Sequence, residues 1–287
     1  MVIPASLKWL GRHEAGTQWL DRLPLLLDEL TERWGLALKG VPFSSANLAY
    51  VVPVSRGGAR FVLKVQWLHD EAAHEADALK TWNGNGGVRL IDHDAARHAL
   101  LLEESVPGTF LAEADLADPL GILAGLFPRL WKPVGEPFRR LSDAARQWAL
   151  HLPQAWERAG RPCERLLVDA ALEHLELLPP TQGEEVLVNQ DLHGHNVLAA
   201  SREPWLVIDP KPLRGEREFS PAPIIRSFEF GHSERAVRLR LDRLSSELGL
   251  NRERVLGWTV AQTMAWSFSS EYREHHHETT RWLLRAR

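Results

Sequence analysis

Three polar residues of the types that phosphoryl transfer requires lie close together in the C-terminal half of the chain. Asp191 and Asn196 stand five positions apart on a polar loop, and Asp209 follows thirteen residues later, after the apolar run 205–208. In phosphoryl transfer one carboxylate accepts the proton of the attacking hydroxyl, while an amide oxygen and a second carboxylate hold Mg²⁺ against the phosphates. The spacing therefore predicts a catalytic loop between two short strands.

Lys64 supplies a cation in the N-terminal half. It stands inside the apolar run 61–65, where a charge is costly unless it meets a counter-charge or a phosphate. Glu75, eleven residues further on, falls in a predicted helix and can reach back to Lys64. Glu71, one helical turn earlier, competes for the same place. The pattern predicts a phosphate-binding lysine with an acidic partner.

The loop 43–47 lies between two predicted strands, where a phosphate-cradling loop is expected. Its hydroxyls, on Ser44 and Ser45, and its backbone N–H groups can bind phosphate oxygens. The loop lacks the glycines of a protein-kinase phosphate loop. Taken alone it is a weak signal.

Strand patterns give way to helix patterns once along the chain, which predicts an α+β protein with a division between residues 104 and 105. The N-terminal part, 1–104, begins with two helical stretches over 6–34, interrupted near Gly16 and bent near Pro24. Strands are predicted at 36–41, 48–54, 60–66, 88–91 and 98–103, with one helix over 70–82. In 105–287 helices are predicted at 118–130, 141–159 and 163–177 and from Ser233 and Asn251, and strands at 186–190, 197–200 and 205–208.

Composition excludes several classes of protein. With 34 Lys and Arg against 38 Asp and Glu, the net charge of −4 leaves no overall positive field for a nucleic acid. A single cysteine, Cys163, excludes a disulfide framework and is expected to be a small core residue, as the 12 tryptophans are expected to be packing residues. No stretch is long and apolar enough for a membrane span, and no signal peptide is visible. We expect a cytoplasmic protein.

Several of these features together resemble the aminoglycoside phosphotransferase and choline kinase superfamily, over roughly residues 36–287. The features are Lys64 in a strand, Glu75 in the next helix, the strand LLLE at 100–103, and the motifs QDLHGHNVL and IDP. The segment VNQDLHGHNVLAASREPWLVIDPKP is more closely similar to the aminoglycoside/hydroxyurea resistance kinases, which include streptomycin 6-phosphotransferases. The resemblance implies a protein-kinase-like two-lobe fold, with a small five-stranded antiparallel sheet and one helix, then a large, mainly helical lobe.

The resemblance also implies roles for individual residues. Asp191 is expected as catalytic base, Asn196 and Asp209 as Mg²⁺ ligands, and Lys64 as the ATP phosphate-binding lysine. The family pattern favours Glu75 over Glu71 as the partner of that lysine. The backbone around Glu103 is expected to meet the adenine edge, which makes 1–104 the nucleotide-binding lobe and 105–287 the lobe with catalytic loop and acceptor site.

Two departures and two alternatives remain. Gln190 stands where many relatives have Gly, and Asp209-Pro210 replaces the Asp-Phe-Gly of protein kinases, which argues against a protein kinase. The pair His193-x-His195, with Asp191 or His232, suggests a zinc metallohydrolase instead. A catalytically inactive nucleotide-binding scaffold is the third class, although both the base and the metal aspartate are present.

The acceptor is predicted from its charge and from the acidic residues that could pair with it. A cationic aminoglycoside, most plainly streptomycin, requires carboxylates near the base, and Glu218, Glu229 and Glu271 are the candidates. A small-metabolite kinase acting on an amino alcohol or sugar is the alternative. The expected partners are a small-molecule substrate and a nucleotide, without nucleic acid or membrane. The expected state is a monomer or weak dimer.

Overall fold

The computed structural model describes residues 2–67 and 69–285. The chain forms two compact units, Met1–Gly108 and Thr109–Arg287. The sequence pattern places the division four residues earlier. The helices of the described ranges include none that is long and apolar enough to cross a membrane.

The first unit is an antiparallel five-stranded sheet covered by an N-terminal helix. A 3₁₀ helix at Ala5–Arg12 precedes α1 (Glu14–Trp34), and the strands are β1 (Ala37–Leu38), β2 (Ala49–Arg56), β3 (Ala59–Gln66), β4 (Leu90–Asp94) and β5 (Ala99–Glu103). Helix α2 (Glu75–Trp82) lies between β3 and β4, and a short 3₁₀ turn at Ala95–Arg97 joins β4 to β5. The strand order is β1-β2-β3-β5-β4.

The core of this unit lies between α1 and one face of the sheet. Helix α1 buries leucines at three- and four-residue spacing, and β3 contributes Leu63 and Val65 to the same cluster. Because side chains alternate across a strand, Lys64 points to the opposite face of the sheet. The α1 packing therefore fixes the strand that carries the predicted phosphate-binding lysine, without burying that lysine under α1.

The N-terminal boundaries differ from the sequence prediction in identifiable ways. The break between the two helical stretches falls at His13, not at Gly16. Gly16 is inside α1, where a Cβ would stand 2.2 Å from the carbonyl oxygen of Leu10, so glycine permits a close crossing. Strand β1 is only two residues long, because Gly40 takes a φ of +81° and Pro42, two residues on, has no N–H to donate.

Two further elements of the first unit are displaced along the chain. Helix α2 begins at Glu75 and not at residue 70, since the preceding segment forms turns, one of them closed by the Glu75 N–H on the Ala72 carbonyl at 3.2 Å. Strand β4 runs to Asp94, whose side chain accepts from the Arg97 N–H at 3.1 Å and caps the turn that ends the strand.

The second unit is mainly helical. Strand β6 (Pro107–Phe110) spans the boundary between the units. It is followed by α3 (Pro119–Leu130), α4 (Leu141–Arg158), α5 (Arg165–Leu177), β7 (Val186–Asn189), β8 (Val197–Ala200), β9 (Trp205–Val207), β10 (Pro212–Gly215), α6 (Ala222–Arg226), α7 (Glu234–Glu247), α8 (Arg252–Ser267) and α9 (Arg273–Leu284). One-turn 3₁₀ helices occur at Leu111–Glu113, Pro179–Thr181, Gly194–Asn196 and Arg217–Phe219.

Helix α8 is the centre of this unit, and it packs against α4, α5, α6, α7 and α9. Its middle is buried on every side, including the polar Gln262. The Gln262 amide donates to the backbone carbonyl of Gln190 at 2.7 Å, so the central helix is tied directly to the polar loop that follows β7. Cys163, in the connection before α5, is buried, as expected, and burial raises the pKa of its thiol to about 11.

Strand β10 was not predicted, because its residues show no alternation of apolar and polar side chains. It pairs antiparallel with β7, with Pro212 opposite Asn189 and Gly215 opposite Val186. This pairing brings Lys211, which immediately precedes β10, beside the start of the polar loop.

The consecutive histidines of α9 do not form the solvated face that is typical of such runs. His275 is exposed, but His276 and His277 are 6% and 0% exposed, because α9 turns them towards the interior it shares with α7 and α8. Burial is the main cause that lowers the pKa of both, and the pKa of His276 falls to about 3. Two of the three consecutive histidines are therefore interior residues of the second unit.

Candidate active site

Lys64 and Glu75 form a buried ion pair in the first unit. Lys64 Nζ donates to both carboxylate oxygens of Glu75, at 2.8 and 2.6 Å, and the side chains are 8% and 1% exposed. Gln66, on the same face of β3, donates from Nε2 to Glu75 at 2.6 Å. The structure thus joins Lys64 to Glu75, the partner favoured over Glu71. Gln66 was missed, although its position two residues after Lys64 is a signal that it shares that face.

The loop between β1 and β2 carries Ser44 and Ser45, and both are exposed. Two side chains of the N-terminal 3₁₀ helix hold this loop. Ser6 Oγ donates to the Ala46 carbonyl at 2.7 Å, and Trp9 Nε1 donates to the Asn47 carbonyl at 3.1 Å. The N-terminal helical stretch, uninformative in sequence, therefore positions the segment in which a phosphate-binding loop was predicted.

Glu103 ends β5. Its N–H donates to the carbonyl oxygen of Arg89 at 3.0 Å, and its carboxylate accepts from the Arg89 N–H at 2.7 Å. These two bonds tie the end of β5 to the segment before β4 and fix the backbone that was predicted to meet adenine.

Asp191, in the second unit, is held by two cations. Its carboxylate accepts from Lys211 Nζ at 2.6 Å and lies 3.5 Å from the guanidinium of Arg226, and the Asp191 side chain is 15% exposed. Asn189 builds this geometry, because its side-chain oxygen accepts from the backbone N–H of both Asp191, at 3.1 Å, and Lys211, at 3.0 Å. The loop and the start of β10 are locked to one another around the carboxylate.

Trp266 of α8 supports both cations. Lys211 Nζ lies 5.8 Å and the Arg226 guanidinium carbon 4.6 Å from the centroid of its ring, distances at which a cation is attracted to an aromatic face. Sequence reasoning missed all three residues. The one available signal was the lysine two positions after Asp209, within the quoted motif.

Asn196 and Asp209 lie at the ends of two paired strands. Val197 of β8 is opposite Val207 of β9, and the Ile208 N–H donates to the Asn196 carbonyl at 2.9 Å, which brings the next residue, Asp209, alongside. Asn196 Nδ2 donates to the backbone carbonyl of Asp191 at 2.8 Å, so Oδ1 is the end of that amide able to bind a cation.

Asp209 adopts a φ of +50°, in the left-handed region. For a residue other than glycine this conformation costs on the order of 1 kcal/mol, and such residues concentrate at functional sites. The turn lies between the end of β9 and Pro210. The strained backbone therefore coincides with the carboxylate that was predicted as a metal ligand.

Glu229 fastens the same loop from the segment after α6. Its carboxylate, 5% exposed, accepts from the Gly194 N–H at 2.7 Å and lies 2.6 Å from Nδ1 of both His193 and His195. Burial by itself would raise the pKa of Glu229, but these hydrogen bonds and the charge of His193 lower it to about 2. Gly194 is required here, because a Cβ would meet the Phe230 ring at 2.7 Å.

The histidines of this cluster are the ones that suggested a zinc site. Among the described residues, potential ligand atoms of His193, His195 and Glu229 lie within 4.8 Å of one another. Hydrogen bonds from the two rings to the carboxylate account for this arrangement. His232, which was an alternative to Asp191 as a further zinc ligand, hydrogen-bonds through Nε2 to the His275 carbonyl and to the Thr279 hydroxyl, both at 3.2 Å.

The three acidic acceptor candidates occupy different settings. The Glu229 carboxylate is bonded to the catalytic loop at His193, Gly194 and His195. Glu218 is partly exposed on the one-turn helix Arg217–Phe219, and the described hydrogen bonds do not join it to Asp191. Glu271 is exposed just before α9. Glu216, two residues before Glu218, is buried and structural. Its carboxylate accepts from Arg254 at 2.6 Å and from the indole N–H of Trp258 in α8.

Comparison with known proteins supports the sequence resemblance. The family model described as aminoglycoside/hydroxyurea antibiotic resistance kinase matches residues 33–271. The chain is 38% identical to a streptomycin 6-kinase of Streptomyces glaucescens, over 88% of this chain and 84% of that protein. It is 36% identical to a hydroxyurea phosphotransferase of Kitasatospora aureofaciens, over 92% of this chain and 77% of that protein.

Solved structures confirm the predicted fold class. An aminoglycoside phosphotransferase in ternary complex with ADP and hygromycin B matches with a TM-score of 0.65 at 14% identity, over 90% of this chain and 97% of the other. The choline kinase of Streptococcus pneumoniae matches with a TM-score of 0.66 at 11% identity, over 91% and 99%. The chain has the kinase-like α+β fold.

Proposed function

Because the chain belongs to the aminoglycoside/hydroxyurea antibiotic resistance kinase family, we propose that it transfers the γ-phosphoryl group of ATP to a hydroxyl of streptomycin. Phosphorylation would confer resistance to the antibiotic, and we place the enzyme in the cytoplasm, where ATP is available. The observation that carries the acceptor is the 38% identity to a streptomycin 6-kinase over 88% of the chain.

The first unit is proposed to hold the nucleotide. Lys64 is charged and buried on the sheet face opposite α1, and its bidentate pairing with Glu75 keeps Nζ in a fixed place. An ammonium so oriented suits the charge of nucleotide phosphates. The hydroxyls of Ser44 and Ser45 are proposed to add phosphate contacts, and the backbone around Glu103 to meet the adenine.

Asp191 is proposed as the base. As the acceptor oxygen attacks the γ-phosphorus and the bond to the β-phosphate oxygen breaks, the hydroxyl proton passes to the Asp191 carboxylate. Lys211 and Arg226 position that carboxylate from one side, and Gln262 fixes the preceding backbone carbonyl. The three contacts come from the residue before β10, from α6 and from α8, so three separate elements hold the loop that carries the base.

Asn196 and Asp209 fit a hard divalent cation. An amide oxygen and a carboxylate are the ligands that Mg²⁺ takes, and the Asn196 amide is turned by its bond to the Asp191 carbonyl so that its oxygen is available. When bound, Mg²⁺ would neutralise charge on the phosphates. We propose these two residues as its protein ligands.

The test is an acceptor panel with the purified protein and ATP, comprising streptomycin, aminoglycosides without guanidinium groups, hydroxyurea and small amino alcohols. We expect streptomycin to have the highest kcat/KM. Absence of streptomycin phosphorylation, together with a failure to protect cells that express the protein, would remove the antibiotic from the proposal.

A second acceptor has specific support. The 36% identity to a hydroxyurea phosphotransferase equals the identity to one streptomycin 6-kinase, of Streptomyces griseus, and compares with 38% to that of Streptomyces glaucescens. Hydroxyurea is small and neutral, so its phosphorylation would be insensitive to carboxylates near the base. A panel in which hydroxyurea exceeds streptomycin favours this candidate, and one in which an amino alcohol leads favours a small-metabolite kinase. Stoichiometric zinc in the purified protein, without phosphorylation of any acceptor, favours the hydrolase.

A further inference from the structure

An exposed group of aromatic side chains lies on the surface of the second unit. Phe228 and Tyr272 are 36% and 42% exposed, and their ring centroids are 4.4 Å apart. His275 is also exposed and lies 5.6 Å from the Phe228 ring. We call Phe228, Tyr272 and His275 the aromatic platform. Water contact with such large rings is unfavourable, and contiguous exposed apolar patches commonly mark binding sites.

The platform adjoins the catalytic loop through the segment that carries Phe228. Two residues before it, Arg226 lies 3.5 Å from the Asp191 carboxylate. One residue after it, Glu229 contacts His193 at 2.6 Å. The segment that carries Phe228 is therefore tied to the catalytic loop by side-chain contacts on both sides of Phe228.

Glu271 adds a negative charge at the rim of the platform. It immediately precedes Tyr272, and its charge is the main cause that raises the pKa of the Tyr272 hydroxyl. Glu274 and Glu278, on the first turns of α9, are exposed as well. The cation nearest in sequence, Arg273, donates to the Phe268 carbonyl at 3.2 Å. Ring faces and carboxylates therefore coincide.

We propose that the aromatic platform, with Glu271, binds a guanidinium group of the acceptor while an acceptor hydroxyl faces Asp191. A planar guanidinium stacks on aromatic faces and pairs with a carboxylate through its N–H groups. Primary ammonium groups are compact and strongly hydrated, so the platform selects guanidinium over ammonium. The assignment rests on the proposed phosphotransferase function and deepens it, because it identifies the acceptor chemistry that the site prefers.

The test compares Tyr272→Ala with Tyr272→Phe and Glu271→Gln by steady-state kinetics. Tyr272→Ala is expected to raise the KM for streptomycin about 5- to 30-fold, with kcat and the KM for ATP nearly unchanged, since stacking contributes to acceptor affinity. Tyr272→Phe retains the ring and is expected to remain near wild type. Glu271→Gln is expected to raise the same KM about threefold or more. Leu239→Ala and Glu176→Gln, at exposed positions on α7 and α5, are matched controls.

Two outcomes separate the platform from the proposed function. If the wild type phosphorylates streptomycin and Tyr272→Ala leaves its KM within twofold, the platform assignment is wrong and the function stands. If the wild type does not phosphorylate streptomycin, binding of streptidine is measured by calorimetry. Binding that Tyr272→Ala weakens and Tyr272→Phe retains upholds the platform, and undetectable or unchanged binding overturns it.

Discussion

Replacing Glu229 by Gln is expected to destabilise the second unit by removing the charge that fastens the catalytic loop. At about 1.4 kcal/mol per pH unit, the fall of its pKa from the ordinary 4.5 to about 2 corresponds to about 3 kcal/mol in favour of the folded, ionised form. A glutamine still accepts some of the hydrogen bonds from His193, His195 and Gly194. We therefore expect Glu229→Gln to lower the free energy of unfolding by about 2 kcal/mol.

The pH dependence of this loss follows from both partners. Because the folded pKa of Glu229 is lowered, its contribution is present above pH 4.5 and disappears as the pH falls towards 2. His193 is the opposite case: burial would lower its pKa, but the Glu229 hydrogen bond and the nearby Asp191 charge raise it above 6.5. Its contribution is present below pH 6.5 and is lost as the pH rises through the raised pKa.

The assay is denaturant unfolding of the wild type and Glu229→Gln between pH 3 and pH 9, with Glu176→Gln as control. The stability gap between wild type and variant is expected to be largest between about pH 4.5 and 6.5 and to shrink on both sides. A gap that is absent, or one that stays constant from pH 3 to pH 9, would refute the reasoning that a charged His193–Glu229 pair holds the loop.

Three further predictions concern other contacts. In steady-state kinetics, Lys211→Met is expected to lower kcat about 10- to 100-fold and to leave the KM for ATP within twofold, because loss of Lys211 misplaces the Asp191 carboxylate. Lys211→Arg is expected to retain part of kcat in the same assay. Lys64→Met is expected to lower the free energy of unfolding by about 3 kcal/mol, because it leaves the Glu75 carboxylate buried without its ammonium partner. The double variant Lys64→Met/Glu75→Met is expected to recover more than half of that loss. A double variant no more stable than Lys64→Met would contradict this. His276, with a pKa lowered by burial to about 3, must take up a proton on unfolding below pH 6.5, so stability is expected to fall by about 2 kcal/mol from pH 6.5 to 5. The variant His276→Leu is expected to lack this part of the pH dependence, and an equal slope in both proteins would contradict it.

The proposed reacting groups are visible in the sequence because phosphoryl transfer fixes their types and their spacing is short. Asp191 and Asn196 share one loop, and Asp209 ends the adjacent strand, so local pattern suffices to bring them together. The Lys64–Glu75 pair was also predictable, since a lysine in an apolar strand requires a partner and the next helix supplies one.

The supporting groups are not visible because tertiary packing alone selects them. Lys211, Arg226 and Glu229 reach the loop across 20 to 36 residues of sequence. Glu229 was assigned to the acceptor from its charge alone, and only its burial beneath two loop histidines shows that it holds the loop. His276 is likewise buried because it lies on the side of α9 that faces the interior. A run of consecutive histidines in the sequence does not indicate which of them lie on that side.

The most direct test of the central claim is the ATP-dependent formation of phosphostreptomycin by the wild type and by Asp191→Asn. The wild type is expected to form the product, and Asp191→Asn to form it at least about 100-fold more slowly while binding ATP as well as the wild type does, because the base contacts the acceptor hydroxyl and not the nucleotide. Product formation at a near-normal rate by Asp191→Asn, or none by the wild type, would contradict the account.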